Sequence, residues 1–179
     1  SIDAQIGRLL EHLKQHSLYD NTTIIFSSDH GDSQGCHGGI ENKSYHMYEE
    51  TVRIPLFIKS AQPNSERSDV TAFVNTCDIY ASILDNAGLP TELAEAAHGR
   101  SLLPFLRGER PEGWRNFVVC QGLSATSTLC THRMIRKGNW KYIFYASGTD
   151  ELYNLKDDPW EITNRIAEPS CQDIRVDLQ

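Results

Sequence analysis

The chain has 179 residues, with 17 Lys and Arg against 24 Asp and Glu, giving a net charge of −7. That balance excludes a nucleic-acid surface, which needs clustered basic side chains. At ~150 residues per domain, the length holds one domain, or one domain with a small appendage. No run reaches the ~18 apolar residues that span a bilayer, so no membrane span is expected in this segment. The chain opens directly on a polar, helix-patterned stretch without a signal sequence, and that opening is expected to be cut from something longer. The five cysteines, Cys36, Cys77, Cys120, Cys130 and Cys171, are dispersed and form no C-x-x-C pair. A disulfide scaffold or a zinc ribbon is therefore disfavoured.

Residues 1–16 carry Ile2, Ile6, Leu9, Leu10 and Leu13 at three- and four-residue spacing, which predicts an amphipathic helix. Residues 22–28 (TTIIFSS) are apolar and β-branched without alternation, the pattern of a strand buried on both faces of an α/β sheet. A polar, Gly-rich loop follows over 29–47. The apolar burst at 54–58 predicts a neighbouring strand, and 63–66 a loop. Residues 78–86 predict a helix, with Gly88 and Pro90 as its stop. Residues 101–106 read as a short apolar turn.

Residues 107–113 (RGERPEG) are charged and broken by Pro and Gly. They set an expected boundary between residues 1–112, part of an α/β core, and residues 113–179, a small β subdomain with a tail. Residues 117–119, 131–136 and 140–145 predict short strands, and Lys137-Gly138-Asn139 a hairpin. No helix intervenes, so the sheet should be antiparallel, with 140–145 its last strand. Trp114, Trp140 and Trp160 are expected to pack it. Residues 157–179 form an acidic, Pro-interrupted tail, and residues 121–130 a loop suited to a pocket edge.

The chemistry concentrates where the first strand ends, in Asp29-His30-Gly31-Asp32. Ligands of open α/β sheets bind beyond the carboxyl ends of strands. An Asp and a His there suit a divalent ion, through oxygen and ring nitrogen. Gly31 lets the backbone turn away sharply. His37 and Lys43 follow within the loop. A metal and a Lys neutralise an oxyanion, and a His passes a proton to a leaving oxygen. By itself the D-H-G-D string reads more often as turn and cap residues. It is not an EF-hand loop: the Gly falls at position 7 and Ile40 at position 12. Cys36, His37 and His46 lack the paired spacing of a structural zinc site.

The wider arrangement is more specific. Ser27-Ser28-Asp29-His30-Gly31-Asp32, then Gly35-Cys36-His37-Gly38, Lys43, and Tyr48-Glu49-Glu50-Thr51-Val52-Arg53-Ile54-Pro55-Leu56 closely resemble the sulfatases of the alkaline phosphatase superfamily. Asp78-Ile79-Tyr80 through Ala87-Gly88 resembles their D-hydrophobic-x-P-T helix, with Ala81-Ser82 at the Pro-Thr position. His98-Gly99-Arg100-Ser101-Leu102-Leu103-Pro104 resembles their G-R-S-L turn. Glu151-Leu152-Tyr153-Asn154-Leu155-Lys156-Asp157-Asp158-Pro159-Trp160-Glu161 resembles their E-L-Y-D-L-x-x-D-P-x-E signature. Four motifs in family order cover nearly the whole chain.

The resemblance implies part of an alkaline-phosphatase-like mixed sheet flanked by helices, followed by the small antiparallel sheet. It implies that Asp29 and His30 ligate a divalent cation, Ca2+, and that Lys43 contacts the sulfate and the leaving-group oxygen. His37 would face the same pocket as a second catalytic residue, while Glu49 and Arg53 would form a structural pair. The substrate would be a sulfate ester, attacked by a formylglycine made from Cys or Ser. No residue here fits the nucleophile motif C/S-x-P-x-R, and Cys171-Gln172-Asp173-Ile174-Arg175 has Asp in place of Pro. The formylglycine is therefore expected upstream, in a remaining N-terminal part of the parent enzyme, and this chain should carry half of an active site. A phosphonate monoester or phosphodiester hydrolase of the same superfamily is the alternative enzyme. A non-catalytic module is the alternative from another class.

Overall fold

The computed structural model describes residues 1–40, 43, 46–61, 69–90, 92–96, 98–122 and 131–179. The loop expected at 63–66 and most of that at 121–130 lie outside these residues. Two compact units are present, Ser1–Ser27 with Pro55–Trp114, and Ser28–Ile54 with Arg115–Gln179.

In the first unit, helix α1 (Ile2–Gln15) starts at Ser1, whose Oγ accepts the Ala4 N–H at 3.4 Å. Ile6, Leu10 and Leu13 form its partly covered stripe, while Ile2 and Leu9 stay exposed. Strand β1 (Ile24–Ser27) pairs antiparallel with β2 (Leu56–Lys59), Ile24 opposite Lys59 and Ser27 opposite Leu56. The two apolar bursts are thus neighbours, as predicted. Burial on both faces is not found: Phe26 is exposed and Phe57 is 66% exposed. Only two strands make this sheet among the described residues, and within β1 Ile24 and Ile25 are partly covered while Phe26 is not. Lys59 donates to the carbonyls of Tyr19 and Thr22 and sits 4.5 Å over the Tyr19 ring, which fixes the turn between α1 and β1.

Helix α2 (Thr76–Asn86) opens with a capping box. Asn75 Oδ1 accepts the Cys77 N–H at 3.0 Å, and the Asp78 carboxylate accepts the Asn75 N–H at 2.8 Å. Asp78 is fully buried, and its other oxygen accepts the Arg100 N–H at 2.8 Å. Ser82 Oγ donates to the Asp78 carbonyl at 2.6 Å and accepts the Leu102 N–H at 2.8 Å. Helix and turn are therefore one hydrogen-bonded assembly, which explains why their motifs occur together. Gly99 is needed at this crossing, because a Cβ there would lie 2.3 Å from the Cys77 carbonyl oxygen. Trp114 packs in this unit and not on the small sheet: its Nε1–H donates to Phe73 O at 2.9 Å and its ring stands edge-on to Phe105. Its indole N–H finds a carbonyl here, as expected of a half-buried Trp.

In the second unit, strands β3 (Phe117–Gly122), β4 (His132–Lys137), β5 (Trp140–Tyr145) and β6 (Glu151–Asn154) form an antiparallel meander in that order. Gly138-Asn139 makes the two-residue hairpin between β4 and β5. Two expectations are corrected. The last strand is β6, and the tail ends in helix α3 (Gln172–Leu178). A four-residue strand that starts on Glu and ends on Asn shows no run long enough to detect. One face of the sheet packs Tyr142 and Leu152 against Cys171 and Leu178, with Trp140 alongside. The other packs Met134, Ile143 and Tyr153 against Met47, Tyr48 and Val52. Trp160 is exposed and contributes to neither core, contrary to expectation.

Replacing Asp78 by Ala removes two backbone acceptor contacts from a fully buried site. Hydrogen bonds to a charged group are worth about 1.5–3 kcal/mol each. Asp78→Ala should lower the urea-unfolding free energy by about 2–4 kcal/mol; an unchanged midpoint would contradict this account of the α2–turn assembly.

Candidate active site

Two residues after β1, the backbone folds on itself through Asp29, His30 and Gly31. Asp29 Oδ1 accepts the His30 N–H at 2.9 Å, and Ser28 Oγ donates to the His30 carbonyl at 2.6 Å. His30 Nδ1 lies 2.7 Å from the Gly31 carbonyl. A carbonyl only accepts, so Nδ1 carries the proton and Nε2 keeps its lone pair. Lys43 Nζ donates to that Nε2 at 2.5 Å, and Asp29 Oδ2 lies 3.4 Å from it. Asp29, His30 and Lys43 thus meet at one point. The His30 backbone N–H bond, helped by the nearby Lys43 ammonium, holds the Asp29 carboxyl below the usual carboxylate range.

A carboxylate and an imidazole with an unprotonated Nε2 are donors that fit a divalent cation. They are two donors only: among the described residues no group of three or more His, Cys, Asp and Glu is disposed to hold a metal ion. The pair fits as part of a coordination shell.

His37 lies elsewhere in the loop. Its side chain is 9% exposed, its ring stacks on Tyr48 at 3.8 Å, and its Nε2 lies 3.3 Å from Glu50 Oε2. It sits in the left-handed region, with φ of 50°. Its ring contacts are therefore Tyr48 and Glu50, not Asp29, His30 or Lys43.

The loop is docked on the sheet by two polar groups. Around Glu49, Lys141 Nζ approaches Oε1 at 3.1 Å and Arg136 Nη1 donates to Oε2 at 2.8 Å. Lys141 also pairs with Glu161 at 2.8 Å, and Glu161 Oε2 accepts the Glu49 N–H at 2.6 Å. Lys141 is 0% exposed and Glu161 is buried, with a left-handed backbone at φ of 53°. Such a conformation costs a non-glycine residue about 1 kcal/mol or more. Burial pushes the Glu161 carboxyl up, and Lys141 and the Glu49 N–H oppose that. The pairing expected between Glu49 and Arg53 is not found, because Arg136 and Lys141 on the sheet take both carboxylate oxygens.

The second group surrounds Glu151. Tyr48 Oη donates to its Oε1 at 3.1 Å and Tyr145 Oη to its Oε2 at 3.3 Å. Burial pushes the Glu151 carboxyl up while the tyrosine hydroxyls oppose the rise. Burial and the Glu151 charge push the Tyr48 phenol up to about 12.

Between these anchors the helical turn Glu49–Val52 grips the start of the loop. The Thr51 carbonyl accepts the Gly31 N–H at 2.9 Å. A Cβ on Gly31 would lie 1.9 Å from the Glu50 carbonyl oxygen, so only glycine fits. The structure brings Asp29, His30 and Lys43 together as expected of one loop, and adds the buried pair Lys141 and Glu161, which sequence reasoning did not single out. One detectable trace existed: Lys141 alternates with Ile143 and Tyr145 on the inward face of β5, where a lysine needs a partner.

Comparison with known proteins gives this geometry its class. Residues 35–179 match the family described as N-sulphoglucosamine sulphohydrolase, C-terminal, and the chain belongs to that family. It is 33% identical to an N-acetylglucosamine-6-O-sulfatase of Bacteroides thetaiotaomicron, over 92% of this chain and 30% of that protein. It is 31% identical to the multifunctional alkaline phosphatase superfamily protein PehA of Trinickia caryophylli, over 94% of this chain and 35% of that one. The chain spans about a third of the length of these curated relatives. A structure solved in complex with its substrate D-glucosamine-2-N,6-O-disulfate superposes with a TM-score of 0.85 at 29% identity, over 99% of this chain and 36% of that one. The phosphonate monoester hydrolase of Agrobacterium radiobacter superposes with a TM-score of 0.83 at 28% identity, over 98% of this chain and 37% of that one. The mixed α/β fold with its small antiparallel sheet is that of the sulfatases of the alkaline phosphatase superfamily.

Two measurements check the docking of the loop. Gly31→Ala should lower stability by about 1–3 kcal/mol, the usual cost of overpacking, and shift the Asp29 and His30 amide resonances; unmoved resonances would contradict the contact. Glu151→Gln tests the half-buried carboxyl. Between the ordinary Glu value of about 4.3 and the raised folded value, the native state keeps a proton that the unfolded chain has released. The contribution of this group to stability therefore falls as pH rises through that window. Glu151→Gln should flatten that part of the stability–pH curve, and an unchanged slope would refute the raised value.

Proposed function

We propose that this chain supplies the Asp29–His30–Lys43 half of a metal-dependent sulfuric ester hydrolase. The single observation that carries the reading is the convergence of Lys43 Nζ and Asp29 Oδ2 on His30 Nε2. Asp29 and His30 would hold a divalent cation, Ca2+, whose charge would neutralise sulfate oxygens. The formylglycine nucleophile would come from the remaining N-terminal part of the parent enzyme, since no residue here fits its motif. Lys43 would place its ammonium at the departing oxygen of the ester. Its three donors suit an oxyanion that develops only as the bond breaks. His37, held by Tyr48 and Glu50, is proposed as a proton donor at the rim of the same loop.

A second reading, hydrolysis of phosphonate monoesters or phosphodiesters, is favoured by the likeness to the phosphonate monoester hydrolase of Agrobacterium radiobacter. Both anionic esters present oxygens to a cation and an ammonium, so this half-site suits either.

The test is hydrolysis of an aryl sulfate and a phosphodiester by the 179-residue chain and by the longer protein of which we take it to be part, with and without Ca2+. The short chain should be inactive, and sulfate turnover by it would defeat the half-site reading. In the longer protein, Asp29→Ala should cost roughly 10²- to 10³-fold in turnover, the scale of losing one stabilising contact at a developing charge. Lys43→Ala should cost as much for esters with poor leaving groups and less for good ones. A parent that prefers phosphodiesters would establish the second reading. An Asp29→Ala parent with normal turnover would remove the cation assignment.

A further inference from the structure

We propose that Lys141 and Glu161 are positioning residues for the Asp29–His30–Lys43 centre, acting through the helical turn Glu49–Val52. This deepens the sulfate-ester reading and rests on it. The charges of the group balance: Lys141 and Arg136 face Glu49 and Glu161. Lys141 is fully buried and pairs with carboxylates from two distant segments. Glu161 does two things at once, pairing with Lys141 and accepting the first N–H of the turn through its second oxygen. That turn has no side-chain cap of its own at Tyr48, so Glu161 takes the place of one.

The turn then passes its position on by two routes. The Thr51 carbonyl holds the Gly31 N–H, one residue from His30, and the Glu50 carboxylate meets His37 Nε2 at 3.3 Å. The gap at Gly31 has no slack, since even a methyl group would collide with Glu50 O. A displacement of the turn therefore moves Gly31, and with it the imidazole that Nδ1 ties to the Gly31 carbonyl. The left-handed backbone of Glu161 fits this role: a strained residue persists where its surroundings over-determine it, and such residues cluster at functional sites.

The experiment compares Glu161→Gln and Lys141→Met with the wild type in the longer protein. Glu161→Gln keeps the side-chain volume while removing the ion pair to Lys141 and the carboxylate that accepts the Glu49 N–H. It decides the matter if Lys141→Met fails to fold. Two readouts are taken, hydrogen-exchange protection of the Gly31 amide with the His37 ring resonances, and steady-state kinetics per folded molecule. Positioning predicts loss of Gly31 protection, shifted His37 resonances, and kcat lower by about 10- to 100-fold with KM within about twofold. Folded variants with wild-type Gly31 protection, His37 resonances and kcat would overturn the proposal, leaving the group a stabilising one only. If the wild type hydrolyses neither ester, the sulfate-ester reading fails, and the Gly31 and His37 readouts still decide whether the turn is positioned by this group.

Discussion

A lysine with no solvent exposure must be matched by charge, and Lys141 imposes that condition on everything around it. Removing one partner from such a pair costs about 3–5 kcal/mol, because an uncompensated charge stays behind in a poorly solvating interior. The matching carboxylates come from Glu49, at the end of the loop, and Glu161, in the turn after β6. Met47, Tyr48 and Val52 surround these contacts with apolar burial on the same face of the sheet. Burial supplies the larger share of the stability, while the ion pairs specify where along the face the loop docks. Apolar contacts are non-directional; a carboxylate between two cations is not.

Both units use one device, a buried carboxylate that accepts a backbone N–H from a distant segment. Asp78 joins α2 to the turn at residue 100, and Glu161 joins the end of the chain to the turn at residue 49. In each case a glycine sits at the close approach that results, Gly99 in one and Gly31 in the other. The spaced sequence motifs of the family thus become physical partners. Their residues are distant in the chain and adjacent in hydrogen bonding, so each motif makes sense only with its counterpart.

Much of this was legible in the sequence, for identifiable reasons. The strand pair β1–β2 was readable because its apolar runs are uninterrupted, and the β4–β5 hairpin because Gly138-Asn139 is a strong turn string. That Asp29, His30 and Lys43 lie together was readable because all three belong to one loop. What escaped has a common cause. Strand β6 and helix α3 are only four and seven residues long, and the periodic signal needs length. Lys141 and Glu161 are ordinary charged residues until a structure shows them buried. Glu49 was expected to pair with Arg53, its neighbour in sequence, and the pairing went instead to residues about 90 positions away. The outward apolar faces of β1 and β2 were misjudged because an apolar strand was assumed to be a covered one.

The sulfatase family to which the chain belongs explains the order of its motifs, and the hydrogen bonds explain their spacing. The proposed chemistry depends on one convergence, at His30 Nε2. The most direct test is a crystal structure of the longer protein grown with Ca2+ and sulfate. The account predicts the cation bound by an Asp29 carboxylate oxygen and His30 Nε2, with Lys43 Nζ moved from His30 onto a sulfate oxygen. A cation bound elsewhere, with Lys43 still on His30 and no sulfate at the loop, would contradict it.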